Sequence, residues 1–370
     1  EMCIRDRVRA VRAGDTVCRL GGDEFIILLS NLAQAADARP VATNLVSRFR
    51  DPFNLDEREL VVTTSVGIAV YPDDGSTSAE LLRNADTAMY HSKEQGRNTY
   101  HYFTEAMNKD VSRRLEVEEK LHGALARQEF SVFYQPLVHL QSGKIIGAEA
   151  LLSWQNPLLG KVSPDEFIPI AEQTGLILEI GYHVLNQALS WAGRWQTIHG
   201  ADFKIAVNLS PRQFRDPGLA AAIQETLQRY AVAAESLELE ITEGVLMTGH
   251  AYLDVALAAL NELGVGIAMD DFGTGYSSLS YLRNYPFSLL KIDRSFVSDI
   301  TVDPADRELV NAVILMAHGM GLGVIAEGVE SAQQLEYLRE KGCEFAQGYY
   351  FSRPVTAEKF SELLKIDTVY

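Results

Sequence analysis

Two aspartates stand side by side at Asp270 and Asp271, directly after the short apolar run Val265–Met269 and directly before F-G-T-G. The run has the length and composition of a buried strand, so the pair is delivered at a strand's end into a glycine-rich loop. Adjacent carboxylates repel, and one of them has its pKa raised unless a cation stands between them; a divalent ion is the usual solution. Glycines in the loop let backbone approach a ligand. Taken alone, such a pair also fits an ordinary helix cap in a strand-to-helix turn. The surrounding chain decides between the two.

From Phe130 onward, strand-like runs alternate with helical stretches, the rhythm of parallel strands joined by crossovers. The strand candidates are Lys144–Leu151, Phe203–Leu209, Leu237–Thr242, Gly266–Asp271, Leu289–Asp293, Gly323–Glu327 and Cys343–Tyr349. Roughly 240 residues in this rhythm favour a TIM-type (β/α)8 barrel over an open doubly wound sheet. The open sheet stays possible at this point, although no G-x-G-x-x-G follows the first strand. Strand after strand closes on a polar residue. Glu149 ends K-I-I-G-A-E, Asn208 ends K-I-A-V-N, and Glu240 sits in L-E-L-E-I-T-E. Asp270 and Asp271 follow I-A-M, Lys291 precedes I-D, Glu327 ends V-I-A-E, and Gln347 precedes G-Y-Y-F. In a barrel all these strand ends converge on one mouth. One such residue could be a cap; the whole series is improbable as caps. Carboxylates and one amide oxygen are hard ligands that suit Mg²⁺ or Mn²⁺, and the absence of His and Cys disfavours zinc. Two ions roughly 3.5–4 Å apart can stabilise both the attacking and the leaving oxygen of a phosphodiester. Lys291 could orient the water or offset developing charge.

Composition bounds the alternatives. A chain of 370 residues, 47% hydrophobic and 22% charged, has the make-up of a globular protein with room for two domains. A net charge of -17 argues against a groove for long nucleic acid, which calls for a basic face. A small anionic ligand could still bind through metal ions. Cys3, Cys18 and Cys343 are too few and scattered for a disulfide framework. No window approaches the ~18 apolar residues of a membrane span, and no secretory signal opens the chain. A cytoplasmic location with no membrane contact from this segment is the expectation.

The N-terminal stretch is a separate α/β unit. Gly21-Gly22 reads as a tight hairpin turn between V-C-R-L and F-I-I-L-L, which displays Asp23 and Glu24 at its tip. A strand at Leu60–Val70 and a helix at Ser78–Gln95 follow. Together R-L-G-G-D-E-F, T-S-V-G-I-A-V-Y-P, L-L-R-N-A-D-T-A-M-Y and G-R-N-T-Y resemble the C-terminal half of a GGDEF (diguanylate cyclase) domain. The resemblance implies that Asp23, with Glu24 beside it, belonged to a metal-binding active site and that Arg12 and Asp15 match an R-x-x-D product-inhibition site. It begins in mid-domain, so this half is expected to be truncated and vestigial, without cyclase activity.

The second half resembles the EAL-domain cyclic di-GMP phosphodiesterases. The resemblance rests on Y-Q-P (134–136), E-A-L (149–151), V-N-L-S (207–210), E-I-T-E (240–243), D-D-F-G-T-G, K-I-D (291–293), A-E-G-V-E (326–330) and Q-G-Y. It implies metal-dependent hydrolysis of cyclic di-GMP to linear pGpG. Position by position, Glu149, Asn208, Glu240, Asp270, Asp271 and Glu327 correspond to the ligands of two metal ions. Lys291, with Glu327 and Glu149, corresponds to the catalytic group. Gln135, Leu151, Asp293 and Gln347 correspond to residues lining the substrate, and Glu243 to the glutamate that fixes the D-D-F-G-T-G loop. Pairing of two barrels in a homodimer is a further expectation. One departure stands out: the family continues E-A-L-L-R-W with a phosphate-binding arginine, and Ser153 occupies that place here. A receptor that binds the nucleotide without turnover is therefore the alternative. The expected division is a partial GGDEF domain over 1–103, a helical linker over 104–114 and the EAL domain over 115–370.

Overall fold

The computed structural model of the protein describes residues 11–366 except 13, 51–52, 56–57, 61, 201, 247–250 and 274–278. The chain divides into two compact units, Glu1–Glu116 and Val117–Tyr370.

In the first unit, Thr16–Gly21 and Glu24–Leu28 form an antiparallel hairpin, turned by Gly22 at a φ of 54°. Strand Val66–Ile68 runs parallel to Tyr100–Tyr102, and helix Ser78–Glu94 makes the crossover between them. Thr77 caps this helix: its side chain accepts from the Glu80 backbone N–H while Glu80 reaches back. A side chain at Gly67 would stand 2.2 Å from the Met89 nitrogen, so the helix lies directly on the strand only because that position is glycine. The sequence reading of one strand over Leu60–Val70 is corrected: Arg58–Leu60 pairs with Phe53–Leu55, and only Val66–Ile68 joins the crossover.

The second unit is a closed barrel. Its strands are β1 (Phe130–His139), β2 (Lys144–Asn156), β3 (Gly160–Val162), β4 (Lys204–Asn208), β5 (Leu237–Thr242), β6 (Gly266–Phe272), β7 (Leu289–Ile292), β8 (Gly323–Ala326) and β9 (Phe345–Ala346). Neighbours run β4-β5-β6-β7-β8-β9-β1-β2-β3, and pairing of β4 with β2 closes the ring, leaving β3 as an appendage to β2. An open sheet is thereby ruled out. The expected all-parallel order needs one correction, because β1 is antiparallel to both β2 and β9. His139 pairs with Lys144, leaving Leu140–Gly143 for the connection. So short a link permits only a hairpin, since a parallel crossover needs about a dozen residues.

Helices such as Ile177–His199, Leu219–Tyr230, Pro304–Gly319 and Ala357–Lys365 wrap the outside. Alternation along β1 sends Tyr134 outward, where its ring meets Trp195 edge-on at 4.9 Å, and Trp195 in turn packs on Phe360 at 4.7 Å. Trp154 of β2 does the same work beside Phe130 and Phe167, with its ring N–H donating to the buried Glu129 carboxylate at 2.9 Å. Each of these rings contributes roughly 1.5–3 kcal/mol by leaving water. They pin the β1–β2 hairpin, whose opposite face carries Gln135 and Glu149. Among the described residues no helix is long and apolar enough to cross a membrane.

Candidate active site

Strand register assembles the cluster. Glu149 lies opposite Gln135 on one side and Ala206 on the other; Asn208 is level with Glu240, and Thr242 with Asp270. Lys291 sits beside Ile325, two residues before Glu327. Residues spread over nearly 200 positions of sequence therefore meet at one end of the barrel. Glu149 is not at a strand terminus as the sequence suggested: β2 continues to Asn156, because the β1–β2 hairpin rises above the ring that closes at Ala150 and Val207.

Lys291 is the centre of the cluster and is 1% exposed. Its ammonium stands 2.7 Å from Glu240 Oε2, 2.7 Å from Glu327 Oε1, 3.2 Å from Asp270 Oδ1 and 3.8 Å from Glu149 Oε1. Burial alone would lower its pKa, but the carboxylates, Glu149 and Glu240 foremost, outweigh this and hold it well above the usual value. The carboxylates divide. Burial works against ionisation of Glu149, yet Lys291 and the hydrogen bonds it accepts bring its pKa below the ordinary range. Burial together with Glu149 and Asp270 drives Glu240 well above that range. Burial, with repulsion from Asp270 and Glu149, raises Glu327 from 4.5 to about 7 despite Lys291. Asp271 is raised by burial and then by Asp270.

Consecutive strand residues point to opposite faces, so Asp270 and Asp271 should diverge. A break in the β6–β7 register between Met269 and Phe272, with Asp271 in the left-handed region at a φ of 55°, cancels the alternation. Asp270, Asp271 and Glu327 consequently bring carboxylate oxygens within 4.8 Å of one another. This meets the requirement for cation ligation. The donors are all oxygen, and the carboxylates of Glu149, Glu240, Asp270, Asp271 and Glu327 face a single ammonium, an imbalance that a divalent cation would relieve.

Two amides hold Glu149. Asn208 Nδ2 donates to Glu149 Oε1 at 2.7 Å, and Gln347 Nε2 donates to Glu149 Oε2 at 2.6 Å. The backbone of Gln347 is itself locked, with its main-chain N–H on the Ala326 carbonyl and its main-chain carbonyl on the Val329 N–H. The next residue must be glycine, since a Cβ at Gly348 would lie 2.1 Å from the Val329 oxygen.

The remaining expected residues are placed as follows. Gln135 is buried against Gln347 at 2.8 Å and against the Ser352 carbonyl at 3.0 Å. That backbone acceptor was invisible in the sequence, having no side-chain signature. Leu151 and Ser153 are half-buried and share the Glu149 side of β2 by alternation. Asp293 Oδ1 is engaged by the Ser295 N–H and hydroxyl, capping helix Arg294–Ser298. Glu243 is buried at the start of helix Glu243–Leu246; of the D-D-F-G-T-G loop it was expected to fix, residues 270–273 are described and 274–275 lie outside the described residues. Asp23 and Glu24 stand exposed at the hairpin tip of the first unit, as expected. Asp15 in that unit accepts from the backbone N–H groups of Arg12 at 2.9 Å and Ser30 at 3.2 Å, and the Arg12 side chain is exposed.

Comparison with known proteins fits this arrangement. The EAL domain family matches residues 118–354, and the diguanylate cyclase, GGDEF domain family matches residues 6–99. The chain is 43% identical over 357 residues to the bifunctional diguanylate cyclase/cyclic di-GMP phosphodiesterase MucR of Pseudomonas aeruginosa, covering 96% of this chain and 52% of that protein. It is 39% identical over 363 residues to the cyclic di-GMP phosphodiesterase NbdA of the same organism, covering 98% of this chain and 46% of the relative. The chain thus spans about half the length of the curated relatives it matches. Among solved structures, the PaMucR phosphodiesterase in complex with c-di-GMP superimposes with a TM-score of 0.63 at 41% identity, covering 66% of this chain and 99% of that one. A closed barrel whose mouth gathers these carboxylates around one buried lysine, matched over its length at this identity, makes the chain a member of the EAL domain family.

Proposed function

We propose that this chain hydrolyses one phosphodiester bond of cyclic di-GMP to give linear pGpG, with two Mg²⁺ or Mn²⁺ ions held by Glu149, Asn208, Glu240, Asp270, Asp271 and Glu327. The observation that carries the reading is the charge imbalance around Lys291: more buried carboxylate than one ammonium can neutralise, in the mouth of a barrel. Bound ions would supply Lewis-acid polarisation of the phosphoryl group and acidification of the attacking water. Lys291 stays protonated and fixed, so its charge is available to the oxygen on which negative charge grows, at no cost of reorganisation. Glu149, held ionised between two amide donors and the lysine, keeps its oxygens in a set direction. Gln135, Leu151, Asp293 and Gln347 line the approach on the substrate side, Ser153 takes the place of the family's arginine, and Glu243 supports the D-D-F-G-T-G loop. The domain division 1–103, 104–114 and 115–370, a homodimer of barrels and a cytoplasmic location belong to the same proposal, which assigns no cyclase chemistry to Asp23, Glu24, Arg12 or Asp15.

Purified protein incubated with cyclic di-GMP and Mg²⁺, followed by chromatography, tests the reading: pGpG appears and depends on the metal. Ser153 favours a second reading, a cyclic di-GMP receptor, because a guanidinium fork for phosphate is replaced by one hydroxyl. Tight binding with no product would establish the receptor and sink the hydrolase.

A further inference from the structure

The hydrogen-bond directions around Gln347 can be followed from a fixed starting point. A backbone carbonyl only accepts, so the atom of Gln135 that meets the Ser352 oxygen at 3.0 Å is its amide nitrogen. The carbonyl oxygen of Gln135 is therefore the atom presented to Gln347, and Gln347 must answer with an N–H, at 2.8 Å. The same nitrogen donates to Glu149 Oε2 at 2.6 Å. An amide nitrogen carries two hydrogens, and both are now used. The carbonyl oxygen of Gln347 is left as the one atom of that amide able to meet a ligand, and it takes no hydrogen bond from the described residues. Ser352 is itself held in register with β1, because Tyr134 and Val355 exchange backbone hydrogen bonds at 2.7 and 2.9 Å. Gln135, Gln347 and Glu149 are all buried, so water does not compete for these positions.

We propose that Gln135 is a positioning residue that acts through Gln347: it fixes the direction of the Gln347 amide, which aims one N–H at Glu149 and turns the Gln347 carbonyl oxygen to the mouth as an acceptor for an O–H donor. This goes beyond the expectation that Gln135 lines the substrate, and it rests on the phosphodiesterase reading for the identity of the donor. Were Gln347 reversed, its carbonyl oxygen would face the Glu149 carboxylate and the Gln135 carbonyl, acceptor against acceptor. Gln135 is what makes the reversed state unfavourable from the side away from Glu149. The donor is either the attacking water or a ribose hydroxyl of the substrate.

A double-mutant cycle on the full chain tests this with Gln135→Met, Gln347→Met and the pair. Two readouts are taken: kcat and KM for cyclic di-GMP with Mg²⁺, and Mn²⁺ affinity by calorimetry without substrate. Partners that orient a metal-binding group are typically worth 10- to 100-fold, so either single change is expected to lower kcat and weaken Mn²⁺ binding by about tenfold or more. KM should move less than about threefold, and the pair should be no worse than Gln347→Met alone. Gln135→Leu likewise has no donor for the Ser352 carbonyl, so it should behave as Gln135→Met does; this second apolar variant carries the test if the methionine variant fails to fold. With a 2′-deoxy cyclic dinucleotide, loss of the Gln135 effect identifies the ribose hydroxyl as donor, and persistence identifies water. Independent, multiplying effects in the pair, or a Gln135→Met change confined to KM, would overturn the proposal in favour of direct substrate contact. If the wild type shows no turnover, the hydrolase reading fails while the Mn²⁺ arm still decides the coupling; in an active wild type, absence of coupling removes this inference and leaves the hydrolase reading intact.

Discussion

Replacing Lys291 by methionine keeps most of the side-chain volume and removes the one cation that, among the described residues, pairs with Glu149, Glu240, Asp270 and Glu327. Breaking a buried ionic network from one side costs about 3–5 kcal/mol, because the partners are left uncompensated. For a unit of this size each kcal/mol moves the midpoint by roughly 2–4 °C, so the metal-free variant should melt roughly 6–20 °C below the wild type. All three tryptophans, Trp154, Trp191 and Trp195, lie in the barrel unit, so tryptophan fluorescence follows that unit alone. The deficit has a signature that ordinary core damage lacks. It should shrink from pH 8 to pH 5.5, where Glu327, raised to about 7 by burial, takes up a proton and less charge needs neutralising. Mn²⁺ should raise the variant's midpoint more than the wild type's. A loss under about 2 °C, or one that is the same at both pH values, would refute the view that Lys291 is the counter-charge of this cluster.

Other expectations follow from the same geometry. In the metal-free wild type, Glu327 has a folded-state value of about 7 against 4.5 when unfolded, so the native state binds the extra proton between these limits. Stability should therefore be gained as pH falls from 8 toward 5 and lost as it rises, by up to roughly 3 kcal/mol for this group. The lowered Glu149 acts only below the ordinary carboxylate range and the raised Lys291 only above the ordinary lysine range, so neither masks the trend. A wild-type curve that runs parallel to that of Glu327→Gln over this window would contradict the assignment. Asp270→Asn keeps the fold and removes one of the repelling carboxylates: turnover should drop at least a hundredfold while the metal-free midpoint holds or rises, and unchanged turnover would take Asp270 out of the site. Ser153→Arg adds a charge-assisted hydrogen bond worth roughly 1.5–3 kcal/mol, so KM should fall about ten- to a hundredfold with little change in kcat; an unmoved KM would show that Ser153 is not what limits affinity.

The polar residues closing successive apolar runs were readable because a barrel strand is a nearly uninterrupted apolar segment, against which Glu149, Asn208 or Glu327 is conspicuous. That they share one mouth follows from barrel topology, and the pairing of β2 with β4 supplies it. Four things were missed. The antiparallel β1 was hidden by the assumption of crossovers, although the four-residue Leu140–Gly143 link carried the signal. The left-handed Asp271 was hidden because alternation is the default for strand residues, and only the register break shows why two consecutive carboxylates can face the same way. The central place of Lys291 and the buried position of Gln135 depend on which strands are neighbours and on the Ser352 backbone oxygen, neither of which spacing along a chain encodes.

Hydrolysis of cyclic di-GMP by the full chain in ¹⁸O-labelled water, read by mass spectrometry of the products, tests the central claim most directly. The account predicts linear pGpG with one ¹⁸O on its terminal 5′-phosphate, formed with Mg²⁺ or Mn²⁺, abolished by chelation and lost in Lys291→Met. Cyclic di-GMP recovered intact and unlabelled from protein that binds it, or labelled product formed equally well after chelation, would contradict it.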